Sequence, residues 1–135
     1  MACETIKMEI TSNPDYVGII RLTTSGIANK VGFSVDDIED IKVAVSEACT
    51  NAIKHSNDEI FNITFSILEN GLTVEIKDNG KGYDINAIAK PDLSDPKENG
   101  LGLFIIQTLM DEVSIESKDS AGTLVRMTKY LGVDI

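Results

Sequence analysis

Residues 60 to 78 read IFNITFSILENGLTVEIKD, and the fold class follows from this stretch. Two runs rich in β-branched and aromatic residues, Ile60 to Leu68 and Leu72 to Asp78, flank Glu69-Asn70-Gly71. Asn-Gly between such runs is the signature of a tight hairpin. Upstream, Thr5 to Thr11 alternates apolar and polar residues, with Ile6, Met8 and Ile10 on one side, which is strand periodicity. Ser12-Asn13-Pro14-Asp15 then supplies a cap and a proline for a first helix from about Pro14 to Lys30. Val17, Ile20, Ile27 and Val31 face inward, and Gly32 closes the helix. Ser34 caps a second helix running to about His55, whose Asp36, Asp37 and Glu39 suit its positive N-terminal end. Ile38, Ile41, Val45, Ala48 and Ala52 share one of its faces.

Downstream of the hairpin, Tyr83 to Ala89 suits a short helical turn. The polar, proline-bearing segment Lys90 to Asn99 reads as a mobile surface loop. A helix from Gly100 to Met110 follows, then strands at Val113 to Ser117 and Thr123 to Tyr130 around a turn at Ala121-Gly122. Helices and strands are grouped rather than strictly alternating. The expected class is α+β, a two-layer sandwich with helices on one face of a mainly antiparallel, mixed sheet.

The 135 residues fit one domain, 1–135, long enough to bury a core. No apolar run approaches membrane-spanning length, and MACETIKMEI lacks the basic-then-apolar order of a secretory signal. A cytoplasmic protein with no membrane association is the expectation. Cys3 and Cys49 are isolated; a single disulfide is one option and a reduced pair the better one. With 22 acidic against 12 basic residues the net charge is −10, which repels a phosphate polymer and argues against direct nucleic-acid binding. The same charge suits either basic protein partners or plain solubility.

Three motifs carry chemistry. Glu47 and Asn51 stand four apart on the second helix, so only about 40° separates them around its axis. They lie on the shoulder of the apolar arc, half sheltered and pointing the same way. A carboxylate there can take a proton from an incoming hydroxyl. The amide oxygen can give Mg²⁺ one ligand, leaving the rest to water and phosphate oxygens. Next, Asp78 ends an apolar strand and precedes Asn79-Gly80-Lys81-Gly82. The aspartate can accept a hydrogen bond from the exocyclic amine of adenine, and the glycines allow a sharp turn and close approach of a flat ring. Finally, Gly100-Leu101-Gly102-Leu103 opens a helix whose free N–H groups and dipole suit phosphate. The Walker pattern G-x-x-x-x-G-K-[ST] is absent. Taken singly, each motif is also an ordinary helix pair, turn or helix start. Lys81 and Lys97 read as solvated surface lysines, and His55 as a structural histidine.

In this order and spacing the motifs resemble the N, G1 and G2 boxes of the GHKL (Bergerat-fold) ATPases, which include gyrase B, Hsp90 and the histidine kinases. Within them, VSEACTNAIKH, GLGLFIIQTLMDEV and GTLVRMTKYL are most similar to the anti-sigma-factor serine kinases. The likeness runs from IRLTTSGIANKVG to the last strand. It implies a Bergerat ATP-binding fold with ATP and Mg²⁺ as cofactors. It also implies Glu47 as general base toward a serine hydroxyl, Asn51 on Mg²⁺, and Asp78 on adenine. Gly80, Gly82, Gly100, Leu101 and Gly102 would shape the nucleotide pocket, with Thr123 helping to hold adenine through water. Histidine kinases usually lack an acid at the Glu47 position, because histidine is already a nucleophile whereas serine gains from a base. The implied partners are a sigma factor and a STAS-type anti-anti-sigma factor as substrate, with Arg21 at a position of partner contact and the kinase a homodimer. Two other readings stay open: a nucleotide-dependent sequestering module with little kinase activity, and a histidine-kinase-like ATPase domain.

Overall fold

The computed structural model describes residues 4–55, 59–78, 98–118 and 122–132. Strand β1 spans Glu4–Thr11. A 3₁₀ turn at Pro14–Tyr16 leads into helix α1, Val17–Val31. Helix α2 spans Val35–His55, β2 Ile60–Leu68 and β3 Gly71–Asp78. Helix α3 covers Glu98–Leu109, followed by β4 at Glu112–Lys118 and β5 at Gly122–Tyr130.

Each boundary has a local cause. Asn13 is the cap residue before Pro14, its side chain accepting the Asp15 N–H at 2.9 Å. This makes the first turn 3₁₀, so the α-helix proper starts at Val17 rather than at the proline. Gly32 ends α1 in the left-handed region at φ 108°, its N–H reaching back to Ala28 and Asn29, a conformation glycine adopts without a Cβ penalty. Ser34 Oγ accepts the Asp37 N–H at 3.2 Å and starts α2. Helix α3 begins two residues before Gly100, so Asn99 belongs to the helix and not to the preceding loop. The turn expected at Tyr83 to Ala89, and the rest of the expected loop up to Lys97, lie outside the described residues.

The described strands form one sheet in the order β1-β2-β3-β5-β4, and every pairing is antiparallel. The last strand is thus inserted between β3 and β4. Side-chain parity gives the sheet an apolar inner face, arranged in rows. Ile6, Phe65, Val74, Met127 and Val113 form one row across the strands. Met8, Ile63, Ile76, Val125 and Ile115 form the next. The opposite face is polar, and Arg126 crosses there from β5 to Glu75 on β3 at 3.0 Å. One wet face and one covered face are the usual arrangement of an antiparallel sheet.

Helix α2 lies between α1 and α3 and packs over β3. Ile38, Ile41, Val45, Ala48 and Ala52 are all buried as their spacing predicts, joined by Ala44 and Cys49. On α1, Ile20 and Ile27 are buried, whereas Val17 and Val31 are only half-buried; Thr24 and Ala28 complete the inward stripe. Thr24 is accommodated because its hydroxyl donates to the Ile20 carbonyl at 2.7 Å. The C-terminal end of α3 is tied to β5. Lys129 Nζ donates to the Leu109 carbonyl at 2.7 Å, where a cation complements the helix dipole. The Asp111 N–H donates to Thr128, and Asp111 Oδ2 accepts the Tyr130 N–H at 2.7 Å.

Candidate nucleotide and phosphoryl-transfer site

Glu47 and Asn51 occupy the side of α2 that meets α3. Glu47 is half-buried and Asn51 is 7 % exposed. Helix α3 comes close to them because Gly102 has no side chain. A Cβ built there would lie 3.1 Å from Glu47 Oε2, 3.3 Å from Asn51 Nδ2 and 3.6 Å from Asn51 Oδ1. The acid, the amide and the second glycine of the G-L-G-L run therefore form one three-sided contact. It is seated by Leu103 and Ile106, the buried residues on the apolar side of α3. Gly100 and Leu101 lie in the first turn of that helix, and the Leu101 side chain is outside the described residues. A hydroxyl reaching Glu47 would approach beside a helix N-terminal half, where negative charge is favoured.

A second polar group sits at one end of the sheet. Asp78 closes β3 opposite Phe61 and is 1 % exposed. One rung beyond the Lys77–Leu124 pair, Thr123 is its counterpart on β5, also 1 % exposed. Thr123 in turn pairs with Ser117 on β4, and their hydroxyl oxygens are 3.0 Å apart. The third inner row thus reads Ile10, Phe61, Asp78, Thr123, Ser117, polar on three strands where the two preceding rows are apolar on all five. Such a break in an otherwise apolar face places donors and acceptors where the polar edge of a ligand can be met. Ser117 is not among the residues singled out from sequence. The signal was present: it shares parity with Val113 and Ile115 and sits in an otherwise apolar-facing register.

Gly80, Gly82, Lys81 and Lys97 lie outside the described residues, as does the side chain of His55. Arg21 is exposed on α1, on the same helix as Ile19 and Leu22, which are 50 % and 75 % exposed. Cys49 is a free, buried thiol whose pKa is pushed up by burial, while Cys3 is outside the described residues. Among the described residues no three His, Cys, Asp or Glu side chains gather in a metal-binding group, and none of the helices is long and apolar enough to cross a membrane. The donors present at α2 are a carboxylate and an amide oxygen, hard ligands that fit Mg²⁺ held jointly with phosphate.

Comparison with known proteins agrees with this architecture. A model of the histidine kinase-like ATPase domain matches residues 10–129. A serine-protein kinase RsbW from Halalkalibacterium halodurans is 44% identical over 142 residues, covering 97% of this chain and 86% of the relative. The RsbW of Bacillus thuringiensis is 45% identical over 139 residues, covering 95% and 86%. Among solved structures, the RsbU and RsbW domains of a Mycobacterium tuberculosis protein superpose with a TM-score of 0.71 at 16% identity, over 95% of this chain and 32% of that one. The histidine kinase domain of the E. coli osmosensor EnvZ gives 0.54 at 18% identity, over 100% and 92%; these two likenesses bear on the fold alone. The chain belongs to the histidine kinase-like ATPase family and, within it, to the RsbW-type serine-protein kinases.

Proposed function

We propose that this kinase uses Glu47 as general base in transferring the γ-phosphoryl group of ATP to a serine of a STAS-type anti-anti-sigma factor. The observation that carries the proposal is the contact of Glu47 and Asn51 with Gly102, which sets an acid and an amide oxygen beside the N-terminal half of α3. Asp78 takes the exocyclic amine of adenine, with Thr123 beside it. Gly80, Gly82, Gly100 and Leu101 shape the rest of the pocket. The serine oxygen forms its bond to the γ-phosphorus as the bridging bond to the β-phosphate breaks, and ADP leaves. The serine proton passes to a Glu47 carboxylate oxygen and from there to water. Asn51 would give Mg²⁺ one ligand, and the ion when bound would neutralise charge on the phosphate oxygens. Removing the carboxylate leaves the serine un-ionised and without an acceptor. Glu47→Ala should lower transfer on the order of 100- to 10,000-fold while retaining nucleotide binding in calorimetry. Undiminished phosphoserine formation by that variant would overturn the assignment.

The same chain, read as one ATP-binding domain over residues 1–135 in the cytoplasm, sequesters a sigma factor and exchanges it for the anti-anti-sigma factor. Support for a docking role comes from α1, which exposes Arg21, Ile19 and Leu22. A homodimer is proposed as well: among the described strands β1 is an edge strand pairing only with β2, and Ile6 on it is 38 % exposed. Unpaired strand edges invite association. Phosphoserine on the partner adds negative charge, which disfavours its return to a chain of net charge −10.

A further inference from the structure

We infer that Lys129 is a positioning residue for phosphoryl transfer: by pinning the C-terminal end of α3 to the sheet, it holds Gly102 against Glu47 and Asn51. The inference rests on the reading of Glu47 as general base. Lys129 faces the apolar side of the sheet. It stands opposite fully buried Leu72 and two residues beyond fully buried Met127. A charged group on such a face needs a partner, and half-buried Lys129 has one in the carbonyl of Leu109, the last residue of α3, at 2.7 Å.

The sheet side of this attachment is firmly seated. Gly71 lies so close to β5 that a Cβ there would run into the Lys129 carbonyl oxygen, and the Leu131 N–H donates to the Asn70 carbonyl at 2.8 Å. On either side of Lys129, the Thr128 carbonyl accepts the Asp111 N–H at 2.9 Å and the Tyr130 N–H donates to Asp111 Oδ2 at 2.7 Å. Those two bonds hold the turn after the helix; the bond from Lys129 reaches the helix itself. Elsewhere α3 packs mainly on α2, with a smaller contact to β4. A helix seated along one neighbour can swing across it unless an end is fixed. Gly102 precedes Leu109 by about 10 Å along the axis, so a swing of about 5° around that end shifts Gly102 by about 1 Å. The clearance there is small already, with a Cβ built on Gly102 lying 3.1 Å from Glu47 Oε2 and 3.3 Å from Asn51 Nδ2. A misplacement of about 1 Å can cost on the order of 100-fold in rate, whereas attraction between phosphate and a helix N-terminus falls gently with distance. Loss of the anchor therefore lowers transfer more than nucleotide affinity.

The test measures phosphoserine formation on the STAS-type protein from the same genome, and Mg·ATP binding by calorimetry. It uses the full chain as wild type, Lys129→Met, Lys129→Arg and Glu47→Ala. Methionine keeps an unbranched apolar stem and removes the donor, whereas arginine keeps a cationic donor. Lys129→Met should lower kcat per ATP-binding site about 10- to 100-fold, with the ATP dissociation constant raised by no more than about threefold. Lys129→Arg should recover most of the rate. A merely structural lysine would lower the thermal midpoint and the folded fraction yet leave kcat per ATP-binding site in place, and that outcome overturns the inference. So does an equal loss of kcat in Lys129→Met and Lys129→Arg. Unchanged kcat in Lys129→Met beside an inactive Glu47→Ala leaves the general base standing and removes the anchor alone. A fully active Glu47→Ala overturns both. Should Lys129→Met not fold, Lys129→Gln, one atom shorter and uncharged, makes the same comparison.

Discussion

At Gly102 the missing methyl group lets α3 come close to Glu47 and Asn51. A Cβ there would press on Glu47 Oε2 and both terminal atoms of the Asn51 amide, at 3.1 to 3.6 Å. These are the far ends of flexible side chains, so they would give by a few tenths of an ångström. Alanine is also the better helix former by about 0.5–1 kcal/mol. Gly102→Ala should therefore leave the thermal midpoint unchanged or raised, while serine phosphorylation falls on the order of 10- to 100-fold because the acid and amide are displaced. A variant that loses stability and activity together would point to packing as the role of this glycine. Asn51 and Gly102 were both read from local sequence. Their contact was not, because nothing in either segment specifies which helix it meets.

The β4–β5 hairpin carries two kinds of polar contact. Ser117 and Thr123 join its strands on the inner face, near the turn. At the far end, Tyr130 Oη donates to Glu112 Oε2 at 2.8 Å. That bond raises the Tyr130 pKa above its ordinary value, with the charges of Glu112 and Asp111 acting in the same direction. A folded-state pKa above the unfolded one means that the bond stabilises the fold below the unfolded tyrosine value. This contribution fades as pH rises through the folded one. Ultraviolet titration of wild type against Tyr130→Phe should show one phenol ionising late, and Glu112→Gln should bring it back down. A Tyr130 ionisation unaffected by Glu112→Gln would contradict this account. The two strands and a turn at Ala121-Gly122 were legible in the sequence, although residues 119–121 lie outside the described residues. The insertion of the hairpin beside β3 was not, because that pairing joins segments separated by a whole helix.

The molecule as a whole divides its work between two sides of α2. One side meets α3, and the helix packs over β3, the strand that ends at Asp78. The other meets α1, whose outer surface exposes Arg21 and Leu22. Surface substitutions away from special features usually change stability by less than about 0.5 kcal/mol, so α1 can be altered without disturbing the site. Arg21→Ala should keep nucleotide binding and the thermal midpoint at wild-type levels, yet reduce capture of the sigma factor or the anti-anti-sigma factor by about tenfold if the guanidinium meets a carboxylate at the interface. Pull-down of both partners at wild-type levels would remove Arg21 from the docking surface.

The sequence by itself determined the helices, the hairpins and the α+β class, since each depends on interactions a few residues apart: capping, turn chemistry and apolar spacing. It also carried the motifs for acid, amide, aspartate and glycines, whose residue types suit the chemistry wherever they are placed. Only the tertiary structure decided that β5 lies between β3 and β4, that Gly102 abuts Glu47 and Asn51, and that Ser117 stands behind Thr123. Those contacts depend on burying the α2 and sheet faces together. The free energy of that burial belongs to the assembled core, not to any one segment.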